Sequence, residues 1–273
     1  MNQCYKSEPL SIIDDIPTFS EIDYYVENYQ KISADHLEHL NNTGTNPFMA
    51  EDHWREIELS TTELIKKYVV EDNSKILDVG VGLGRLLEPF DNLQRFGMDI
   101  SAGYLTHAKR KGINVCMSLI DDMPYKEKYF DAVVTTDVLE HVIDLNKSIS
   151  KILSVLKPGG VLVVRVPFDE DLSPYLNEEY PYDLVHLRTF NESNLRLLFQ
   201  KIFRLKVEEV VLTGYRGAPL KVGSQVRVYR GLVNRLLRIT KLLNDGLFFK
   251  LSKMLCKPVE INFVVRNTSD WQG

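Results

Sequence analysis

The sequence predicts an α/β protein built on a doubly wound, mostly parallel sheet with helices on both faces. Three observations predict it. Residues 75–212 alternate short β-branched runs with helical stretches, the pattern of a parallel sheet covered on both sides. A glycine-rich run, Asp78-Val79-Gly80-Val81-Gly82-Leu83-Gly84, stands where a strand gives way to a helix. The 273 residues are 44% hydrophobic and 26% charged, enough for one large domain with additions.

Each element has its own signal. Residues 1–59 carry 12 acidic and 3 basic side chains and read as an N-terminal helical arm. The core, 60–212, opens on Ser60-Thr61-Thr62-Glu63, a capping box followed by the apolar stripe Leu64, Ile65, Tyr68 and Val69. Strands are expected at Lys75–Val79, ending at Asp99, at Asn114–Ser118 and at Phe130–Thr136. A helix over Asp144–Lys157 should stop at Pro158-Gly159-Gly160, and Val161–Val166 reads as a continuous apolar strand. Asn191 is the expected cap of a helix through Ile202, with a strand near Leu205–Leu212 beyond it. Residues 213–258 are an insert too long for an ordinary hairpin loop, and 259–273 hold a last strand, Val259–Arg266, and a tail.

Composition excludes several functions. A net charge of -5 lacks the basic footprint of a nucleic-acid binder, so no nucleic-acid partner is expected. No apolar run reaches the roughly 18 residues that span a bilayer, and the first 20 residues are too acidic for a signal peptide, which points to the cytoplasm. Cys4, Cys116 and Cys256 form neither a disulfide framework nor a metal knuckle. His36 and His39 stand three apart with no third ligand nearby in sequence, so no metal site is expected.

The glycine run spaces its residues as Gly80-x-Gly82-x-Gly84, and Arg85 stands where a dinucleotide fingerprint would place glycine. Asp78 ahead of it would repel a pyrophosphate and suits a cation or hydroxyl donor. Both features argue against an NAD-dependent oxidoreductase. Asp99 ends the second strand 21 residues later, where a carboxylate can accept both hydroxyls of a ribose.

Five segments in order, Asp78–Gly84, Gly97-Met98-Asp99-Ile100-Ser101, Phe130-Asp131-Ala132-Val133-Val134, Val138-Leu139-Glu140-His141-Val142 and Leu156-Lys157-Pro158-Gly159-Gly160, resemble the class I S-adenosylmethionine-dependent methyltransferases, closest to their small-molecule and glycan-modifying branch. The resemblance covers about residues 60–212. It implies a Rossmann-like methyltransferase fold of seven strands, the last one antiparallel, and S-adenosylmethionine as cofactor. It further implies that Gly80 and Gly82 pass close to the methionine part while Asp78 orients their loop. Asp99 would bind the ribose, Ile100 would pack on adenine, and Asp137 would help hold the ammonium. At the adenine edge Leu119 replaces the usual first acid, which leaves recognition to the backbone of Ile120 and to Asp121.

A sulfonium methyl is already activated, so alignment carries most of the catalysis, and a base is needed only for a hydroxyl acceptor. His186, between the fifth strand and the next helix, and His141 are the catalytic candidates; each also reads as a structural histidine. The expected activity is methyl transfer to a small-molecule or saccharide acceptor, at oxygen. Alternatives are a quinone or lipid methyltransferase at a membrane surface and a non-catalytic cofactor-binding scaffold.

The insert remains open among three readings. Leu232, Val233, Leu236, Leu237, Ile239, Leu242 and Leu243 recur at helical spacing with Arg235, Arg238 and Lys241 between them, and Phe248, Phe249, Leu251 and Leu255 follow. Such a segment (232–256) can lie on an anionic membrane, can cap the active site, or can pack its stripe on the core. Arm and insert together are expected to wall the acceptor cleft, with Tyr24, Tyr25, Tyr29, Phe48 and Trp54 contributed by the arm.

Overall fold

In the computed structural model, which describes residues 4–215 and 227–268, the chain forms a nine-stranded mixed sheet with helices on both faces. The elements are β1 (Ser11–Ile13), β2 (Ile16–Thr18), α1 (Tyr24–Thr43), α2 (Glu51–Tyr68), β3 (Lys75–Val79), β4 (Gln94–Asp99), α3 (Ala102–Arg110), β5 (Asn114–Met117) and β6 (Phe130–Thr136). They continue as α4 (Leu145–Val155), β7 (Leu156–Pro167), α5 (Glu192–Arg196), β8 (Lys206–Thr213), α6 (Arg227–Leu243), α7 (Asp245–Leu255) and β9 (Glu260–Arg266). The strand order is β1-β2-β5-β4-β3-β6-β7-β9-β8. Strands β5, β4, β3, β6 and β7 run parallel, and β9 is antiparallel to both β7 and β8. This is the Rossmann-like methyltransferase arrangement of seven strands, extended at one edge by the β1–β2 hairpin.

Alternation along the strands divides the core into two layers. Leu77, Val133, Leu162, Val164 and Phe263 face α4, α5 and the π-helical turn Leu197–Ile202 that continues α5, where Ile149, Ile152, Leu195 and Phe199 meet them. Ile76, Val134, Val163 and Val264 face the other way, onto Leu64 and Ile65 of α2 and Leu105 and Ala108 of α3. Each fully buried Leu or Phe in these layers contributes about 1.5–3 kcal/mol, which makes the central strands the rigid base of the molecule.

Three expectations change. The capping box does not start a helix: α2 begins nine residues earlier, after Ala50, so Ser60–Glu63 lies in mid-helix and the 59/60 boundary falls inside it. Thr61 points inward, donating from Oγ1 to Asn262 Oδ1 at 2.8 Å. The arm is not purely helical, because β2 pairs with β5 through Thr18 and Met117 and carries β1 with it. The helix expected over Asp144–Lys157 is α4, capped by Asp144 accepting from Lys147 N–H and ended at Val155, because Leu156 turns extended and pairs with Phe130. The stretches 216–226 of the insert and 269–273 of the tail lie outside the described residues.

The parallel strands end together. Strand β3 pairs with β4 on one side and β6 on the other, so successive crossovers leave in opposite directions and open a crevice beyond its carboxyl end.

Candidate functional site

A cavity of about 620 Å³ fills that crevice. The structure brings all ten sequence-predicted site residues to its wall: Asp78, Gly80, Gly82, Asp99, Ile100, Ile120, Asp121, Asp137, His141 and His186. The glycine loop leaves β3 by a tight turn in which Gly80 and Val81 N–H groups both donate to Met98 O. Gly80 has φ 81, and a Cβ there would lie 2.2 Å from Val138 Cγ2, so no side chain fits. Gly82 has φ 49 and its Cβ would meet nothing within 4 Å, which leaves open room against the backbone.

Asp99 ties this loop to the end of β4. Its Oδ2 accepts from Gly82 N–H and its Oδ1 from Ser101 N–H, both at 2.9 Å. Burial raises its carboxyl above the ordinary value, tempered by those backbone donors. Each oxygen retains a lone pair for a diol. Asp78 is 1% exposed and its Oδ1 has no hydrogen-bond partner. Burial, then the neighbouring Asp99, pushes it well above the usual carboxylate range.

Asp137 follows β6 in the left-handed region, φ 57, with its N–H donating to Arg165 O at 3.0 Å. Arg165, buried in β7, grips both carboxylate oxygens of Asp137, Nε to Oδ1 at 3.2 Å and Nη2 to Oδ2. Arg165 was missed by the sequence reading although it interrupts the apolar run Val161–Val166. Glu260, at the start of β9, completes this floor, and burial, then Asp137, raises its carboxyl well above the usual range. Asp121 takes Ser148 Oγ at 3.2 Å and Lys147 Nζ at 2.9 Å, on the short turn that also places Ile120.

Counted over the described lining residues, eight acids stand against two arginines, Arg85 and Arg165. This excess of carboxyl groups, of which burial pushes Asp78, Asp99 and Glu260 upward, favours a cationic ligand.

His141 and His186 meet edge to face, with ring centroids 4.6 Å apart. The loop between β7 and α5 brings them together: Leu187 N–H donates to Glu140 O at 2.9 Å, and Arg188 donates to Leu139 O and Ile143 O. His186 Nδ1 bonds Glu170 Oε2, and Tyr175 donates to Glu170 Oε1 at 2.8 Å. Burial pushes Glu170 up, but the bonds from His186 and Tyr175 outweigh it and hold the carboxyl below its usual range. His141 Nδ1 lies 3.0 Å from Tyr29 Oη and 3.3 Å from Val185 O, and burial, then His186, pushes it down to about 4. Glu140, His141 and His186 each offer a ligand atom within 4.8 Å of the others, a set that could hold a metal ion and that sequence spacing did not reveal. Glu170 and Tyr175 were also missed; they lie in a loop without periodic pattern.

Helix α1 covers one side of the cavity. Asn28 donates from Nδ2 to Leu184 O at 2.7 Å and accepts at Oδ1 from Asp183 and Leu184 N–H. His36 is 5% exposed and bonds Tyr104 Oη through Nδ1 at 2.6 Å. The insert behaves differently: among the described residues, none of α6 or α7 lines the cavity. Its inner side forms a separate cluster of Val233, Leu237, Phe248 and Cys256 beside Tyr215, and Lys241 pairs with Asp52 on α2. The joint wall of arm and insert is therefore not formed by the described residues, because the insert is anchored on the outer side of α2. No helix of the described residues is long and apolar enough to cross a membrane.

Comparison with known proteins agrees with this geometry. The family described as a methyltransferase domain matches residues 77–164. An uncharacterized protein of Methanocaldococcus jannaschii is 29% identical over 147 residues, 54% of this chain and 68% of its own length. A ubiquinone biosynthesis O-methyltransferase of Bradyrhizobium sp. is 40% identical over 98 residues, 33% of this chain and 38% of the relative, so the chain spans well under half of that enzyme. Among solved structures, the methyltransferase in complex with the Haloferax volcanii Trm112 activator aligns with a TM-score of 0.57 at 17% identity, over 91% of this chain and 100% of that one. An S-adenosylmethionine-dependent methyltransferase of Thermotoga maritima aligns at 0.55 and 15% identity, over 89% and 99%. At those identities the structures speak for the fold. Matched residues 77–164 contain the glycine loop, Asp99 and the Glu140-His141 turn, and through them the chain carries a class I S-adenosylmethionine-dependent methyltransferase domain.

Proposed function

We propose that this protein transfers a methyl group from S-adenosylmethionine to a hydroxyl of a small-molecule or saccharide acceptor, with His186 as the general base. The residues present fit the cofactor: Gly82 leaves open space at the loop, Asp78 offers an orphaned buried oxygen, and the cavity wall is acidic. Gly80, Gly82 and Asp78 would hold the methionine part, Asp99 the ribose hydroxyls, and Ile100, Ile120 and Asp121 the adenine edge. Asp137 is engaged by Arg165, so its part in holding the ammonium would be shared with Asp78. The bound cofactor supplies an activated methyl group.

The observation that carries the oxygen assignment is the Glu170–His186 pair. With Nδ1 donating to Glu170, the ring is fixed in the tautomer whose Nε2 accepts, and that nitrogen takes the acceptor's hydroxyl proton as the new bond to oxygen forms. Tyr175 holds Glu170 in place. Tyr25, Tyr29, Tyr180 and Tyr182 on the same wall give flat apolar surface with hydroxyl edges, suited to a ring-shaped acceptor.

The test is release of S-adenosylhomocysteine across a panel of phenolic and saccharide acceptors. With the acceptor found, His186→Ala should lower kcat by about 100-fold or more while the cofactor Kd stays unchanged. Undiminished turnover in His186→Ala would remove the base, and loss on chelation of divalent cations would move its role to a metal on Glu140, His141 and His186.

A further inference from the structure

We propose that the helical insert docks this protein on an anionic lipid surface through the stripe Leu232, Leu236, Ile239 and Leu243 with Arg235 and Arg238 beside it. The proposal rests on the packing of α6 and is independent of the methyl-transfer reading. Helix α6 carries an apolar arc wider than the body of the protein covers. Val233, Leu237 and Thr240 are buried on its inner side, in contact with the cluster of Phe248 and Cys256. About 100° further round the helix, Leu232, Leu236, Ile239 and Leu243 are 61%, 44%, 47% and 77% exposed. Spaced i, i+4, i+7 and i+11, they form one continuous row. Isolated exposed leucines are ordinary, whereas an aligned row on one helix marks a face made for contact.

Charge selects the occupant. Residues 219–257 hold nine basic and one acidic side chain, while the rest of the chain is net acidic. Arg235 and Arg238 are exposed and follow the row on the side away from the buried face. A second copy of this chain would bring the same positive charge to the same face and repel it. A bilayer with anionic headgroups supplies both an apolar layer for the leucines and counter-charge for the arginines, the arrangement of an interfacial amphipathic helix. Lys241, paired with Asp52 on α2, lies on the side of the helix away from the row.

Sedimentation of the full chain with vesicles tests this. It should co-sediment with vesicles of mixed phosphatidylcholine and phosphatidylglycerol, stay in solution with phosphatidylcholine alone, and be released by salt. Arg235→Glu with Arg238→Glu should lower partitioning about 25-fold or more, from about 5-fold for each basic charge removed. Leu236→Ser with Ile239→Ser should also weaken it with an unchanged melting temperature, since both side chains are exposed. No sedimentation with anionic vesicles overturns the proposal, as does sedimentation that both double variants leave intact. A dimer in solution that Leu236→Ser with Ile239→Ser dissolves, without vesicle binding, assigns the row to a second copy and also overturns it.

Discussion

Replacing Arg165 with methionine probes how the floor of the cavity is held together. Arg165 is 3% exposed, grips Asp137 with two guanidinium nitrogens and donates from Nη1 to Thr61 Oγ1 at 3.2 Å. Its charge also draws down the carboxyls of Asp78, Glu140 and Glu260, all of which burial holds well above their usual range. Breaking a buried pair by removing one partner costs about 3–5 kcal/mol. Because Asp137 is 39% exposed and partly screened by solvent, the lower end applies, about 3 kcal/mol. For a chain of this size that is a fall of about 6–12 °C in Tm.

The loss should also depend on pH. A carboxyl whose folded value is raised above its unfolded one contributes stability at low pH and loses it as pH rises through the folded value. Removing Arg165 raises Asp78, Glu140 and Glu260 further, so the deficit should be larger at about pH 8 than at about pH 5.5. Urea or thermal midpoints at both pH values measure it. A double variant, Arg165→Met with Asp137→Asn, should recover at least about 1 kcal/mol, because it removes the charge left behind. A deficit under about 1 kcal/mol, or one equal at both pH values, would refute the electrostatic account of this floor.

Three further outcomes are expected. Asp99→Asn should weaken S-adenosylmethionine binding about 10–100-fold by calorimetry, the worth of a hydrogen bond to a charged group; parental affinity would reject its ribose role. Gly80→Ala should cost more stability than Gly82→Ala, since only Gly80 has Val138 Cγ2 in the way. Gly82→Ala should melt within about 2 kcal/mol of the parent yet bind cofactor poorly, and unimpaired binding would show that its loop does not face the ligand. Asn28→Ala removes three hydrogen bonds to Asp183 and Leu184, so proteolysis should cut near 177–186 much faster; unchanged resistance would show that α1 does not clasp that loop.

Two central strands were legible to the residue, while the one expected at Val161–Val166 runs from Leu156 to Pro167. Lys75–Val79 and Phe130–Thr136 are apolar runs buried on both faces and bounded by polar or glycine signals, so no tertiary partner is needed to find them. The start of α2 was not legible. Its cap, Ala50, makes no side-chain hydrogen bond, and the first turns are held by tertiary pairing of Arg85 with Glu51 and Glu58, while Ser60-x-x-Glu63 imitates a cap in mid-helix. Strands of three residues, such as β1 and β2, are too short to show a period; their turn, Asp14-Asp15, is visible only as two positive φ values. In the site, the residues on the cofactor side sit at strand ends in a fixed order along the chain. Partners of the two histidines come from α1 and a loop with no regular pattern, and their meeting depends on the fold.

The uneven charge of the chain has a physical sense in this arrangement. Carboxyls such as Asp78 and Glu260, pushed upward by burial, hold protons in the empty cavity more readily than exposed acids do. A cation bound there would draw those carboxyls toward their charged form, since unit charges about 4 Å apart attract by about 4 kcal/mol at an effective dielectric of about 20. A thioether product, which no longer carries the sulfonium charge, would forfeit that attraction while keeping the proposed ribose contacts. On the proposed function, the acids that Arg165 leaves unbalanced would favour the methyl donor over its product, so the electrostatic arrangement that weakens the empty fold would also help clear the site after each transfer.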